Sequence, residues 1–397
     1  MKITVAMDSF KGSMTSLEAG NAVKNGILKS WDLEKFKPDI IAIPVADGGE
    51  GTLEALTYGR QVTRHTLTVT GPLGEPVSAS YVIADGDTAI IEMAEAAGLT
   101  LVPKEKRNPI HTTTYGVGEL IMDALARGCN RFIVGIGGSA TNDCGIGMLQ
   151  ALGFDILDNA SENVPYGANG LKDAKRILTK NVPEKLFSCE FMVACDVDNP
   201  LVGEKGCSRI FAPQKGATPD MVKQMDSWMN SFADVVEAYY DESTSSSGKL
   251  MDEENTLERY DRFTPGAGAA GGLGYAFLMF LGAKLLPGAQ IVIRQTGLEE
   301  HIKASDMVIV GEGRLDAQST MGKIPFAIAS LAKKYGKKVI AIAGLVEDES
   351  VVKTSGVFDE VYTIDRGDMS LDDAMKTENA MMNLEKTVNK IDFSGGF

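Results

Sequence analysis

Three runs near the C-terminus, DMVIVGEG (306–313), GKIPFAIASLAKKYG (322–336) and KKVIAIAG (337–344), decide the fold. The outer two are short and β-branched and end in glycine, while the middle one places apolar residues at helical spacing. Strand, helix and strand in that order read as a βαβ unit with parallel strands. The N-terminus repeats the pattern with KITVAMD (2–8), TSLEAGNAVKNGILKSW (15–31) and DIIAIPV (39–45). The two ends therefore read as parts of one α/β domain.

Between them the pattern changes. VTRHTLTVTGPLGEPVSASYVIADGDTAIIEM (62–93) alternates apolar and polar residues around turn signals at GPLGEP and ADGD, which predicts antiparallel hairpins. A helix over TTYGVGELIMDALARG (113–128), with Gly128 as its C-cap, then precedes the strands RFIV (131–134) and CEFMVAC (189–195). The expected architecture is two-domain α/β. A Rossmann- or flavodoxin-like parallel-sheet domain, residues 1–65 plus 288–397, is interrupted by an inserted mixed α/β domain, residues 66–287. In the insert, Met221, Met225, Trp228, Met229, Phe232, Val235, Val236 and Tyr239 recur at helical spacing and read as a core face, followed by a polar loop from Asp241.

Composition narrows the function classes. The 397 residues are 44% hydrophobic and 23% charged, an ordinary globular balance. A formal charge of −15 disfavours nucleic-acid binding through phosphate neutralisation. Five cysteines, none in a CxxC pair, and three histidines make a structural zinc site unlike the pattern. The N-terminal run is too short for a signal peptide, and no apolar run reaches the roughly 20 residues of a membrane span. A soluble, reduced, cytoplasmic protein is expected.

The chemistry gathers where strands end, which is where open α/β sheets bind ligands. The first strand runs into Asp8, Ser9 and Lys11, and DIIAIPV runs into Asp47, Gly48, Gly49 and Glu50. After RFIV comes GIGGSATNDCGIG (135–147), in which Gly135, Gly137 and Ala140 satisfy the dinucleotide fingerprint G-x-G-x-x-G/A. The loop also carries Gly138, Ser139, Thr141, Asn142 and Asp143, a polar load unusual for a dinucleotide turn. CEFMVAC leads to Asp196, Asp198 and Asn199, and further on stand Gln214 and Lys215 in APQKGAT. Gly268 lies in a second fingerprint match, PGAGAAGGLG (265–274), that has no strand before it. GEGRLDAQSTMGK (311–323) delivers Glu312, Arg314, Asp316, Gln318, Ser319 and Lys323, but lacks the glycine spacing of a Walker A loop. Carboxylates with amides and ammonium groups suit metal-assisted phosphate chemistry. The plainer readings are helix caps, tight turns and an Arg314 ion pair with Asp316 or Glu312. G-x-S-x-G and HExxH are both absent, and His65, His111 and His301 are isolated.

Taken in order, DSFKGS, PVADGGEGT, GPLGEPV, IEMAEAAGL, TTTYGVGEL, GIGGSATND, ACDVDNPL, FAPQKGAT, PGAGAAGGLG and GEGRLDAQSTMGK resemble the bacterial glycerate kinase type 1 family over nearly the whole chain. The resemblance implies a nested two-domain kinase that phosphorylates D-glycerate with ATP and Mg²⁺ to 2-phosphoglycerate, its active site in the cleft between domains. It implies glycerate and ATP as partners, with no nucleic acid and no membrane, and leaves a homo-oligomer open. Three positions depart from the pattern: Met7 where Pro is expected, Cys144 where Gly is, and Cys207 where Ala is. Asp196 is the favoured base, then Asp47. Lys11 and Arg314 are expected to meet the glycerate carboxylate, Glu312 and Asp316 to ligate Mg²⁺, and Lys323 to touch phosphate. Asp8, Ser9, Gly48, Gly49, Glu50, Gly137, Gly138, Ser139, Thr141, Asn142, Asp143, Asn199, Gln214, Lys215, Gly268, Gln318 and Ser319 are expected to bind substrate or nucleotide. The alternatives are a glycerate 3-kinase or other hydroxyacid kinase, an NAD(P)-dependent hydroxyacid dehydrogenase, and a non-catalytic metabolite sensor.

Overall fold

In chain order the strands are β1 (Lys2–Met7), β2 (Asp39–Ala42), β3 (Val62–Thr70), β4 (Pro76–Ala84), β5 (Thr88–Glu92), β6 (Arg131–Gly135), β7 (Asp155–Leu157), β8 (Arg176–Leu178), β9 (Glu190–Ala194), β10 (Lys284–Leu286), β11 (Met307–Leu315), β12 (Lys338–Val346) and β13 (Glu360–Thr363). They come from a computed structural model that describes residues 1–30, 38–48, 51–246, 260–316, 323–347 and 356–393. The chain divides into two units, Met1–Gly59 with Pro287–Phe397, and Arg60–Leu286.

The first unit is built from both chain ends around one parallel sheet of order β13-β12-β11-β1-β2. Numbered by their sequence within the unit, the strands run 2-1-3-4-5, the flavodoxin-like doubly wound order. Its strands are apolar on both faces because helices cover both sides: every residue of β1 after Lys2 is buried. Ile3, Val5, Met7, Ile309, Ile340 and Ile342 form a core with Val23 and Ile27 of helix Ser16–Ser30 and Leu384 and Val388 of helix Thr377–Asn389. The strand order reverses between β1 and β11, the kind of switch point at which open α/β sheets bind ligands beyond the carboxyl ends of their strands.

The second unit carries a six-stranded mixed sheet of order β10-β9-β6-β5-β4-β3. β3, β4 and β5 pair antiparallel, and β5, β6, β9 and β10 pair in parallel. Asp85 and Gly86 both adopt positive φ, 52° and 82°, in the tight turn that ADGD predicts. β3 runs across residue 65, the expected boundary. It pairs with β4 along all nine of its residues, so the division falls before it, after Gly59. The Met- and aromatic-rich helix spans Pro219–Ser246, with Met225, Met229, Phe232 and Val236 wholly buried. It continues through residues 241–246, where a loop is expected from the small polar composition. No helix among the described residues is long and apolar enough to cross a membrane.

Candidate functional site

In the first unit, acidic groups collect at the carboxyl ends of β1, β2 and β11. Asp8 follows β1 directly, tied there by its N–H to Gly311 O at 2.8 Å, and Ser9 N–H returns to Asp8 Oδ1 at 2.6 Å. Asp8 is buried, and the loss of solvent pushes its carboxyl up to about 7. The Ser9 N–H opposes that shift, while the neighbouring Asp47 and Glu312 carboxylates add to it. Ser9 Oγ is also buried and makes no hydrogen bond among the described residues. Asp47 and Gly48 lie half-buried beyond β2, whereas Lys11 is exposed. Gly288 fits against this turn because a Cβ there would lie 2.4 Å from Gly48 Cα.

On β11 the buried Glu312 and the nearby Asp316 share one cation. Lys323 Nζ stands 3.7 Å from Glu312 Oε2 and 3.8 Å from Asp316 Oδ1. Arg314 is largely exposed; its Nε lies 3.7 Å from Asp316 Oδ2 and its guanidinium pairs with Glu347. The plainer expectation of an Arg314–Asp316 ion pair is thus present, in a form too solvated to add much stability. Gly49, Glu50, Gln318 and Ser319 fall outside the described residues. Among the described residues no three His, Cys, Asp or Glu side chains cluster to hold an ion.

In the second unit, GIGGSATNDCGIG connects β6 to helix Ile146–Ala151. The dinucleotide fingerprint requires the helix to open at its third small residue, so that N–H groups face the pyrophosphate. Here the helix starts six residues beyond Ala140, after an irregular loop, and the fingerprint has no structural counterpart.

That loop is held from inside by Asp143, which is wholly buried. Asp143 Oδ2 accepts from Thr114 N–H at 2.9 Å and Thr114 Oγ1 at 2.8 Å, and Oδ1 accepts from Gly145 N–H at 3.2 Å. Burial pushes its carboxyl up, and the Thr114, Gly145 and Gly147 donors pull it back. Asn142 is equally buried, its amide donating to Ser208 Oγ at 2.9 Å. Asp143 is therefore committed to holding the loop, whereas Asn142 Oδ1 is buried and makes no hydrogen bond among the described residues. Cys144, next in line, has φ 52°, a left-handed conformation in which glycine is the usual residue, and its N–H donates to Gly271 O at 2.9 Å. Gly271, with φ 69°, lies so close that a Cβ would stand 2.2 Å from Thr141 O. Gly268 likewise serves packing: its N–H donates to Asn199 O at 2.9 Å, and a Cβ would meet Pro200 O at 2.2 Å.

Lys215 enters the same loop from the turn Pro213–Lys215. It is buried, and its ammonium donates to Ser139 Oγ and Thr141 O, each at 2.6 Å. Desolvation pushes its pKa down to about 8, against the fields of Cys207 and Asp143. Gln214, by contrast, is exposed beside it. Asp196 is exposed beyond β9, next to the strand that carries the loop, and Asn199 is half-buried with its amide on Lys205 O at 2.8 Å.

Two groups were not singled out in the sequence. Thr114 stands in TTTYGVGEL, and only its contact with Asp143 reveals its part. Glu92 ends β5 opposite Gly135, its carboxyl pushed up by desolvation and then by Glu95. An acid directly after the apolar run TAII was the available signal for it.

The model of the glycerate kinase family matches residues 3–393. A protein of Escherichia coli (strain K12) named glycerate 2-kinase is 44% identical over 95% of this chain and 93% of its own. A glycerate kinase of Haemophilus influenzae is 46% identical over 93% of each chain. A crystal structure from Salmonella typhimurium LT2, described there as a glycerate kinase 2 candidate, superposes with a TM-score of 0.82 at 38% identity, covering 98% of this chain and 96% of that one.

Proposed function

The chain belongs to the glycerate kinase family, and from that premise we propose that it transfers the γ-phosphoryl group of ATP to the 2-hydroxyl of D-glycerate. The observation that carries the regiochemistry is the end-to-end similarity to the Escherichia coli protein named glycerate 2-kinase. The acids at the β1/β11 strand-order reversal and the buried lysine at the glycine loop support phosphoryl chemistry.

The glycerate 2-hydroxyl oxygen bonds to the γ-phosphorus, the bond from phosphorus to the β,γ-bridging oxygen breaks, and ADP leaves. The hydroxyl proton passes to a carboxylate. Asp196 is the proposed base, with Asp47 as the alternative. Lys11 and Arg314 take the glycerate carboxylate, and Lys323 offsets phosphate charge. Mg²⁺ binds through oxygen, keeps several of its waters, and needs only one or two carboxylates. Glu312 and Asp316, converging on a single lysine, fit such an ion and would hold it. When bound it supplies charge neutralisation on the phosphate oxygens.

Phosphorus NMR of the protein incubated with ATP, Mg²⁺ and D-glycerate tests the reading. A 2-phosphoglycerate resonance is expected. A 3-phosphoglycerate resonance would keep the kinase and overturn the hydroxyl chosen, and unchanged ATP would overturn the kinase reading.

A further inference from the structure

We propose that Ser139 and Lys215 form an oxyanion seat in the second unit, with Lys215 holding the Ser139 hydroxyl so that its proton points to a carboxylate or phosphate oxygen. The inference rests on the kinase reading for the identity of that ligand.

Lys215 is 2% exposed, and the acceptors within reach of its ammonium are neutral: Ser139 Oγ and the Thr141 carbonyl, both at 2.6 Å. A lysine ammonium has three N–H groups, and no carboxylate forms an ion pair with this one among the described residues. A charge buried without an opposite charge is a poor structural choice, since an apolar side chain of the same volume would cost less. An incoming anion supplies the missing countercharge.

Ser139 is the route to it. Its Oγ accepts from Lys215, so its own hydrogen is directed elsewhere, and the side chain has no other hydrogen bond among the described residues. Unlike Lys215, it keeps a surface-accessible edge, at 8% exposed. Two residues earlier Gly137 faces open space: a Cβ there would meet nothing within 4 Å. Thr141 Oγ1, also buried, makes no hydrogen bond among the described residues. Serine hydroxyl, open volume and a positive charge behind them together describe an anion site in which Lys215 is a positioning residue. Asp143 and Cys207 are the titratable groups whose fields reach Lys215. Burial pushes the Cys207 thiol and the Asp143 carboxyl up, toward their neutral forms.

Isothermal titration of the full chain with D-glycerate, ADP and orthophosphate, each alone, tests the seat in Ser139→Ala and Lys215→Met. Loss of a charge-assisted hydrogen bond predicts about ten-fold or more weaker binding of at least one ligand in both variants. Loss confined to glycerate identifies a carboxylate, and loss of ADP and orthophosphate identifies a phosphate. In the wild type that affinity should fall as pH rises through 8, a dependence that Lys215→Met should lack. Wild-type affinity for all three ligands in Ser139→Ala overturns the seat, even if Lys215→Met fails to fold. So does a wild type that binds none of them. A wild type that binds ADP but not glycerate counts against the glycerate reading and leaves the phosphate arm to decide the seat.

Discussion

Asp143 and Thr114 are joined twice: one carboxylate oxygen, Oδ2, takes both the backbone N–H and the hydroxyl of Thr114, at 2.9 and 2.8 Å. The same hydroxyl then receives Met148 N–H at 2.9 Å, so the start of one helix and the body of another are fixed to the glycine loop through two side chains. Asp143→Ala leaves these buried donors without acceptors. A loss of roughly 4 kcal/mol is expected in urea denaturation, since each orphaned buried group costs about 1–3 kcal/mol. A loss below about 1 kcal/mol would remove Asp143 as the organiser of the loop.

Asp8 should trade stability for function. Burial first, then Asp47 and Glu312, raise its carboxyl from an ordinary 3.8 to about 7, so the folded chain keeps a proton that the unfolded chain releases between those values. The resulting stability is complete below the unfolded value and is lost as pH rises through 7. Asp8→Asn should therefore stabilise the fold at pH 8 by up to about 4 kcal/mol and add little at pH 4. Turnover should fall at the same time. Denaturation of both proteins across this range checks it, and a stability gain that does not change with pH would contradict it.

Glycine has opposite weight at two positions of the second unit. Gly271→Ala places a methyl group 2.2 Å from Thr141 O at φ 69°, and a loss of more than about 2 kcal/mol is expected. Gly137→Ala meets nothing within 4 Å and should melt close to the wild type. If the volume beside Gly137 admits substrate, KM rises in that variant. Equal melting losses in the two variants would refute the packing argument.

For the chemical step, Asp196→Asn should lower kcat by about 100- to 10,000-fold with KM within a few-fold, the usual size of a general-base effect. Steady-state kinetics decide it. Near-normal kcat transfers the role to Asp47, whose own asparagine variant is then the comparison.

Local pattern carried most of the architecture. The βαβ runs at both ends, the hairpins at GPLGEP and ADGD, and the buried methionine stripe all depend on residues within a few positions of one another. The strand order does not, because β1 pairs with β11 across some 300 residues, and side-chain periodicity says nothing about which parallel neighbour a strand will choose. Sites follow the same division. That acids would gather at strand ends was legible from DSFKGS and GEGRLDAQSTMGK. That Asp143 would turn inward onto Thr114, or that Lys215 would be buried with no carboxylate paired to it among the described residues, depends on elements far apart in sequence. Cys144 falls between the two cases: the motif expects Gly, and the positive φ explains why.

The nested connectivity also sets a timetable for synthesis. β1 is an interior strand of its sheet, flanked by β2 and β11, yet β11 leaves the ribosome roughly 300 residues later. At about 5–20 residues per second that is some 15–60 s during which a strand made to be buried on both faces has only β2 beside it. The second unit is contiguous and can close its own sheet in that interval. Nascent chains stalled before β11 should therefore hold a folded insert beside an incomplete N-terminal segment, a state in which chaperone binding would concentrate on β1 and helix Ser16–Ser30.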